Sequence, residues 1–191
     1  MIVFEIISLY SFQTSIHMLL ELADSAVLPF NLELLPKAMK EAIETFENNN
    51  VTKKLEANNA SLEFVQEAIA NFETATSNFM AQIDGVMERH NPMELRMIND
   101  QMMYLERVFL MPGGLPARSD VHDVRNAIFA PAKFNSYAGA AFPGISDLLH
   151  EIDDLEDNAK TARWNEIRRH VSDLMIMIQE AAHFLDPVEQ I

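Results

Sequence analysis

Three stretches of this chain hold side chains whose types and spacing could do chemistry. The first is His150-Glu151-Ile152-Asp153-Asp154, which starts like the zinc box HExxH. That box needs its second histidine at the fifth place, one helical turn on and on the same face. The fifth place here is Asp154, so His150 reads as an exposed helix residue. The acidic run "EIDDLED" lacks the glycine and alternating ligands of a calcium loop, and reads as a solvated face. The second stretch is His122-Asp123, a base and orienter only if a third group joins them. The sequence supplies none nearby, so a structural role is expected. The third is "NSYAGAAFPGI", residues 135 to 145, with two glycines, a proline and a tyrosine but no charge. Phe142 can anchor this stretch in a core, while Asn135 and Tyr137 can turn polar atoms to a pocket. Gly139 and Gly144 allow tight backbone turns. A plainer role for Tyr137 is to bridge loop and bundle through its hydroxyl.

No Gly-rich phosphate loop, cysteine nucleophile or nucleophile-elbow serine is present. On its residues alone, this is a packing or association module with one unusual loop. The expected catalytic and metal-ligating residues are none.

The bulk composition narrows the partners. Net charge is −15, from 14 basic and 29 acidic residues. Such a surface repels nucleic-acid phosphates and anionic membranes. A hydrophobic share of 49% implies a folded domain. The chain has no cysteine, which is neutral as to compartment, because a helical domain with a good core needs no disulfide. Two sequons, Asn50-Val51-Thr52 and Asn59-Ala60-Ser61, are candidate glycosylation sites. The twelve methionines suit a soft, adaptable core better than an interaction surface.

The elements that must hold these residues are helices. Phe12, Ile16, Leu19, Ala23 and Val27 share one face, and Pro29 ends that helix. Pro36 fits the first turn of the next, whose apolar face is Leu35, Met39, Ala42 and Phe46. "ENNNVTKKLEANN" reads as a solvated connection. Ser61 caps a long helix, with Leu62, Val65, Ile69, Phe72, Phe79, Ile83 and Val86 as a bundle seam that stops near Asn91-Pro92. Ile98, Met102, Leu105 and Phe109 define another helix, broken by "MPGGLP". Residues 112–142 have no sustained period, so they form either a long ordered loop or a mobile one. Pro143 opens a helix with Ile145, Leu148, Ile152 and Leu155 inward. The last helix carries Trp164, Ile167, Val171, Leu174, Ile178, Ala181 and Leu185 and ends at Asp186-Pro187. The expected fold is all-α, an up-and-down bundle of about four long helices in a single domain, 1–191. "MIVFEIISLYSF" is too short and too polar at Glu5 for a membrane span, and it lacks the basic start of a signal peptide. Residues 1–11 read as the tail of a connection to a domain outside the chain.

"RMINDQMMYLERVFLMPGGLP", "AIFAPAKFNSYAGAAFPGISDLL" and "HVSDLMIMIQEAAHFL" resemble the C-terminal helical domain of the glutamate carboxypeptidase II and transferrin receptor family, and "LLELADSAVLPF" resembles its start. "NSYAGAAFPGI" is similar to the peptidase branch. The resemblance implies a non-catalytic, transferrin receptor-like dimerisation domain. It implies a homodimer, and a loop completing the pocket for the C-terminal side of a peptide substrate. Two zinc ions and the catalytic glutamate would belong to a preceding peptidase domain, with no cofactor in this chain. The parent would be an extracellular or cell-surface type II membrane protein that meets its peptide substrate only with that domain. In the family the pocket loop carries a lysine followed by a tyrosine. The tyrosine matches Tyr137, but the lysine position is Ser136. A serine gives a carboxylate a neutral hydrogen bond where a lysine gives a charge, so glutamate preference should fall about tenfold or more. The alternatives are a stand-alone protein-binding module on the same fold, and a parent that has lost catalysis.

Overall fold

The computed structural model describes residues 2–118, 124–134 and 141–186, with side chains from Tyr10 onward. Seven α-helices are found among them: α1 (Ile2–Asp24), α2 (Leu34–Asn48), α3 (Val51–Glu56), α4 (Glu63–Arg89), α5 (Pro92–Tyr104), α6 (Pro143–Leu149) and α7 (Asp157–Phe184). Two 3-10 segments, Leu105–Phe109 and Ile152–Asp154, continue α5 and follow α6. The fold is an all-α bundle.

Its spine is α4 against α7. Val65, Ile69, Phe72 and Phe79 on α4, and Ile167, Leu174 and Ile178 on α7, are buried at three- and four-residue spacing. Such spacing lines one helix face, so each helix presents a continuous apolar stripe to the other. Helix α2 packs on α4, and α6 packs on α7. The rings of Phe109 and Phe72 meet edge to face, with centroids 6.0 Å apart. That contact draws the 3-10 turn after α5 into the same core.

The helix ends follow local rules. Asn91 caps α5 by accepting the N–H of Met93 at 3.0 Å, and Pro92 sits where no N–H is needed. Ser61 Oγ accepts the N–H of Glu63 at 3.2 Å at the start of α4.

The structure corrects three expectations. The connection after α2 is not merely solvated: it forms α3, whose Leu55 is fully buried. Arg168 Nη1 on α7 donates to Asn58 O at 2.8 Å and holds this segment down. The helix opened by Pro143 ends at Leu149, and Glu151 takes a left-handed conformation at φ 53°. Ile145, Leu148 and Ile152 are buried as expected, but across a break. The third correction concerns α1, which stops at Asp24. Phe12, Ile16, Leu19 and Ala23, which share one face, are all exposed. The segment after it is tied to α5 by one amide. Asn99 Oδ1 accepts from Leu28 N at 2.9 Å, and Asn99 Nδ2 donates to Ala26 O at 3.0 Å.

Candidate functional site

The long loop is pinned by backbone contacts before any side-chain chemistry. Leu110 bridges to Asn126 and Phe129 to Ala141, both antiparallel. Met111 N donates to Arg125 O at 2.9 Å, and Ala127 N to Phe109 O at 2.8 Å. Asn126 Oδ1 turns the chain by accepting from Ile128 N at 3.0 Å and Phe129 N at 2.8 Å. Ala127 and Ile128 then point into the core. Phe142 is the expected anchor: its side chain is fully buried, 6.4 Å from Phe46 between ring centroids. Its φ of 62° is costly for a bulky residue. The buried ring and the bond from Phe142 N to Ile128 O, 2.9 Å, hold it there.

A buried ion pair joins the loop to α6. Arg118 is 6% exposed and Asp147 is 1% exposed. Arg118 donates from Nε at 2.7 Å and from Nη2 at 2.6 Å to Asp147 Oδ2. The same Nη2 donates to Pro131 O. Asp147 Oδ1 accepts the backbone N–H of Lys133 at 2.8 Å. Lys133 Nζ lies over the Phe134 ring, 5.7 Å from its centroid, and donates to Ala117 O at 3.3 Å. Sequence reasoning missed this pair. The available signal was a lone aspartate inside the apolar run "PGISDLL".

Gly144 has a purpose other than a turn. It lies within α6, where a Cβ would fall 2.9 Å from His170 Cε1 and still closer to Nε2. Glycine is needed there because the imidazole rests on the backbone. His170 is buried, and neither ring nitrogen has a hydrogen-bond partner among the described residues. Burial lowers its pKa from 6.5 to about 4, so the ring is neutral at physiological pH. It lies three residues after Ile167, on the seam face, which is the sequence signal that was passed over.

Asn135, Ser136 and Tyr137 lie outside the described residues, as do Gly139, His122 and Asp123. His150 is exposed just past the end of α6, and its ring stacks on Phe134 at 3.8 Å. Asp153 pairs with Lys54 at 2.6 Å and with Lys160 at 3.2 Å. Hydrogen bonds from those two lysines lower its pKa. The "HEIDD" stretch is thus occupied by surface contacts. Among the described residues, no group of three or more His, Cys, Asp or Glu is placed to hold a metal ion.

Several large apolar side chains among the described residues are exposed. Tyr10 is 66% exposed, Phe12 63% and Leu19 64%, all on α1. Met93, Met97, Tyr104 and Phe184 line an open groove of about 450 Å³ at α5 and the end of α7. A second groove, about 780 Å³, runs between Phe30, Leu34 and Met103 beside it. Of the methionines, Met39 and Met102 are buried, while Met18, Met87, Met93, Met97 and Met103 are exposed. The expected methionine core is therefore in part a methionine surface. Among the described residues, no helix is long and apolar enough to cross a membrane.

The profile described as the transferrin receptor-like dimerisation domain matches residues 60–186. The chain belongs to that family. Aminopeptidase NAALADL1 of Rattus norvegicus is 29% identical over 177 residues, covering 92% of this chain and 23% of that protein. The probable glutamate carboxypeptidase LAMP1 of Arabidopsis thaliana is 25% identical over 156 residues, 80% of this chain and 20% of that protein. The probable glutamate carboxypeptidase VP8 of Zea mays is 24% identical over 143 residues, 72% and 19% respectively. The chain spans about a quarter or less of the length of these relatives.

Proposed function

We propose that this chain is the non-catalytic dimerisation domain of a zinc-dependent exopeptidase. Its bundle supplies an association surface, and its 112–142 loop completes the pocket for one end of a peptide. The observation that carries the reading is the exposed apolar face of α1. Phe12, Ile16, Leu19 and Leu20 are open to solvent on a helix whose exit is tied to the bundle through Asn99. Apolar area of that extent marks a surface built to be covered. In a family named for dimerisation, a second copy and the peptidase domain of the same parent are the surfaces that cover it. The domain organisation is one helical unit, 1–191, with residues 1–11 leading from the peptidase domain. The two zinc ions reside in that domain.

In this reading Asn135 and Tyr137 offer polar atoms to the substrate, and Ser136 replaces a charged donor with a neutral one. The relatives are named as an aminopeptidase and as probable glutamate carboxypeptidases, so the peptide end they act on is not uniform. Glutamate specificity is therefore not carried over. In the same reading the parent lies at the cell surface, with Asn50 and Asn59 as glycan sites. Both asparagines are exposed in left-handed turns, at φ 57° each.

Light scattering over a concentration series tests the association role. A dimer that forms with rising concentration supports it. A strict monomer at high concentration would mean that the bundle does not self-associate without the peptidase domain. Full-length parent that stays monomeric as well would sink the dimerisation reading. Persistence of a monomer that binds an unrelated protein would favour the stand-alone binding module.

A further inference from the structure

Ile167 and Leu174 are apolar and fully buried on α7, and His170 interrupts the stripe between them. The residue is 2% exposed, its ring rests on the backbone of Gly144 in α6, and neither nitrogen has a hydrogen-bond partner among the described residues. A neutral imidazole keeps one N–H donor and one acceptor, and leaving both unmet is unfavourable. An apolar side chain would fill the same place without that cost. We propose that the α6–α7 contact is an acid-sensitive latch: protonation of His170 lifts α6 from α7 and releases the two loop segments that Asp147 holds.

The surroundings of the ring offer no charge to balance a proton. Helix α7 packs chiefly against α4, α6 and the two 3-10 segments. The buried face of α4 is apolar apart from Thr76, whose hydroxyl donates to Glu73 O at 2.8 Å. The 3-10 segments bury Leu105, Phe109 and Ile152, while Glu106, Arg107, Asp153 and Asp154 lie at the surface. Helix α6 brings one charge, Asp147, whose two oxygens are taken by Arg118 and by the Lys133 N–H. On α7 itself, Glu166 and Arg169 are exposed within one turn of His170, and Arg168 and Asp173 are half-buried. Arg168 is turned to Asn58 O. Burial alone brings the His170 pKa from 6.5 to about 4, so none of these groups stabilises a charge on the ring.

Of the elements against His170, α6 is the one that can yield by itself. Helix α4 has 27 residues and a continuous apolar stripe, whereas α6 has seven. Helix α6 is bounded by two left-handed residues, Phe142 at φ 62° and Glu151 at φ 53°. Short segments of this kind open at lower free energy than a whole domain. The lifted state gives the ring water and an ordinary pKa, so it binds protons more readily than the seated state. Its population therefore rises as pH falls below 6.5 and levels off near 4. Opening carries Asp147 away with α6. That carboxylate holds residues 111–118 through Arg118 and residues 131–134 through the Lys133 N–H, so one proton at His170 is felt in both segments.

Hydrogen exchange on the full-length protein, followed against pH and at low urea, tests the latch. The amides of α6 should be less protected than those of α4 at every pH and should respond weakly to urea, the mark of local opening. Their protection should fall about thirty- to fortyfold between pH 6.5 and about 4.5, from ring pKa values of about 4 seated and 6.5 lifted. His170→Gln and His170→Leu should each abolish that fall. Protection of α6 that matches α4 in size and urea response shows that α6 opens only with the whole domain, and overturns the proposal. Protection that does not change with pH overturns it too, because opening then does not hydrate the ring. A fall retained in a folded variant assigns the response to another group, such as Asp147, with the same result. Should neither variant fold, the His170 Cε1 proton resonance of the wild type decides. A ring that takes up its proton together with the loss of α6 protection supports the latch, and a ring that stays neutral through that loss overturns it.

Discussion

The α4–α7 seam and the described parts of the 110–149 stretch both place residues in the core, but by different means. The seam excludes water with a repeated apolar stripe, and no single residue in it is unique in kind. The loop has little regular structure and relies on a few groups used once each: the Asn126 side chain, the Arg118–Asp147 pair and the Gly144–His170 contact. The lesson is that apolar stripes hold elements together, while directional groups decide where an irregular chain lies. The first kind tolerates volume-conserving change. The second kind does not.

The sharpest way to break the comparison is to remove one residue from each region. Phe72→Ala in the seam should cost about 3–5 kcal/mol by denaturant unfolding, from lost burial and the cavity left behind. Asp147→Ala should cost a similar amount, about 3–5 kcal/mol, for a different reason: it strands a buried guanidinium. The two separate on repair. Phe72→Leu should recover much of its loss, whereas the Arg118→Met, Asp147→Leu pair should recover stability without restoring the loop's position.

Next in size is the pH response of His170. Its pKa is about 4 in the folded state against 6.5 as the ordinary value. The unfolded chain therefore binds more protons between those values, and stability rises with pH through that window. It is fully present above about pH 6.5 and declines as pH falls toward 4, by about 3 kcal/mol in all. The measurement is unfolding free energy against pH. His170→Leu should flatten the slope between pH 6.5 and 4, and an unchanged slope would show that other groups cause it.

Gly144→Ala should cost about 1–3 kcal/mol, because the new methyl meets the His170 ring. A double-mutant cycle with His170→Ala checks the cause. The two losses should be less than additive if the ring is the obstacle. The smallest effect is expected at Lys54→Ala, which removes a surface partner of Asp153. Its melting midpoint should match the wild type within error at physiological salt, since exposed pairs contribute little.

The legibility of the chain follows the same division. Val65, Ile69, Phe72 and Phe79 were readable as a seam because helical period writes burial into the sequence. Phe142 was readable as an anchor because an aromatic in an uncharged, glycine-rich stretch has few other uses. Leu55 was missed because six residues are too few to show a period amid "NNNVTKK". His170 was missed although it sits on the seam, because histidine carries no burial preference strong enough to flag it. The α1 face was read correctly as apolar, and its exposure came from the structure. Periodicity reports that a stripe exists and is silent on what lies against it.

By itself, then, the sequence determined the long helices α2, α4 and α7, their inward stripes, the absence of a period in residues 112–142 and the family to which the chain belongs. These are local or pairwise properties, set by side-chain spacing and by proline, glycine and asparagine at the ends. Only the tertiary structure decided that Arg118 meets Asp147, that His170 rests on Gly144, and that α1 and the exposed methionines face solvent. Those facts join residues far apart in the chain through single contacts, and a single contact leaves no repeat in the sequence from which to read it.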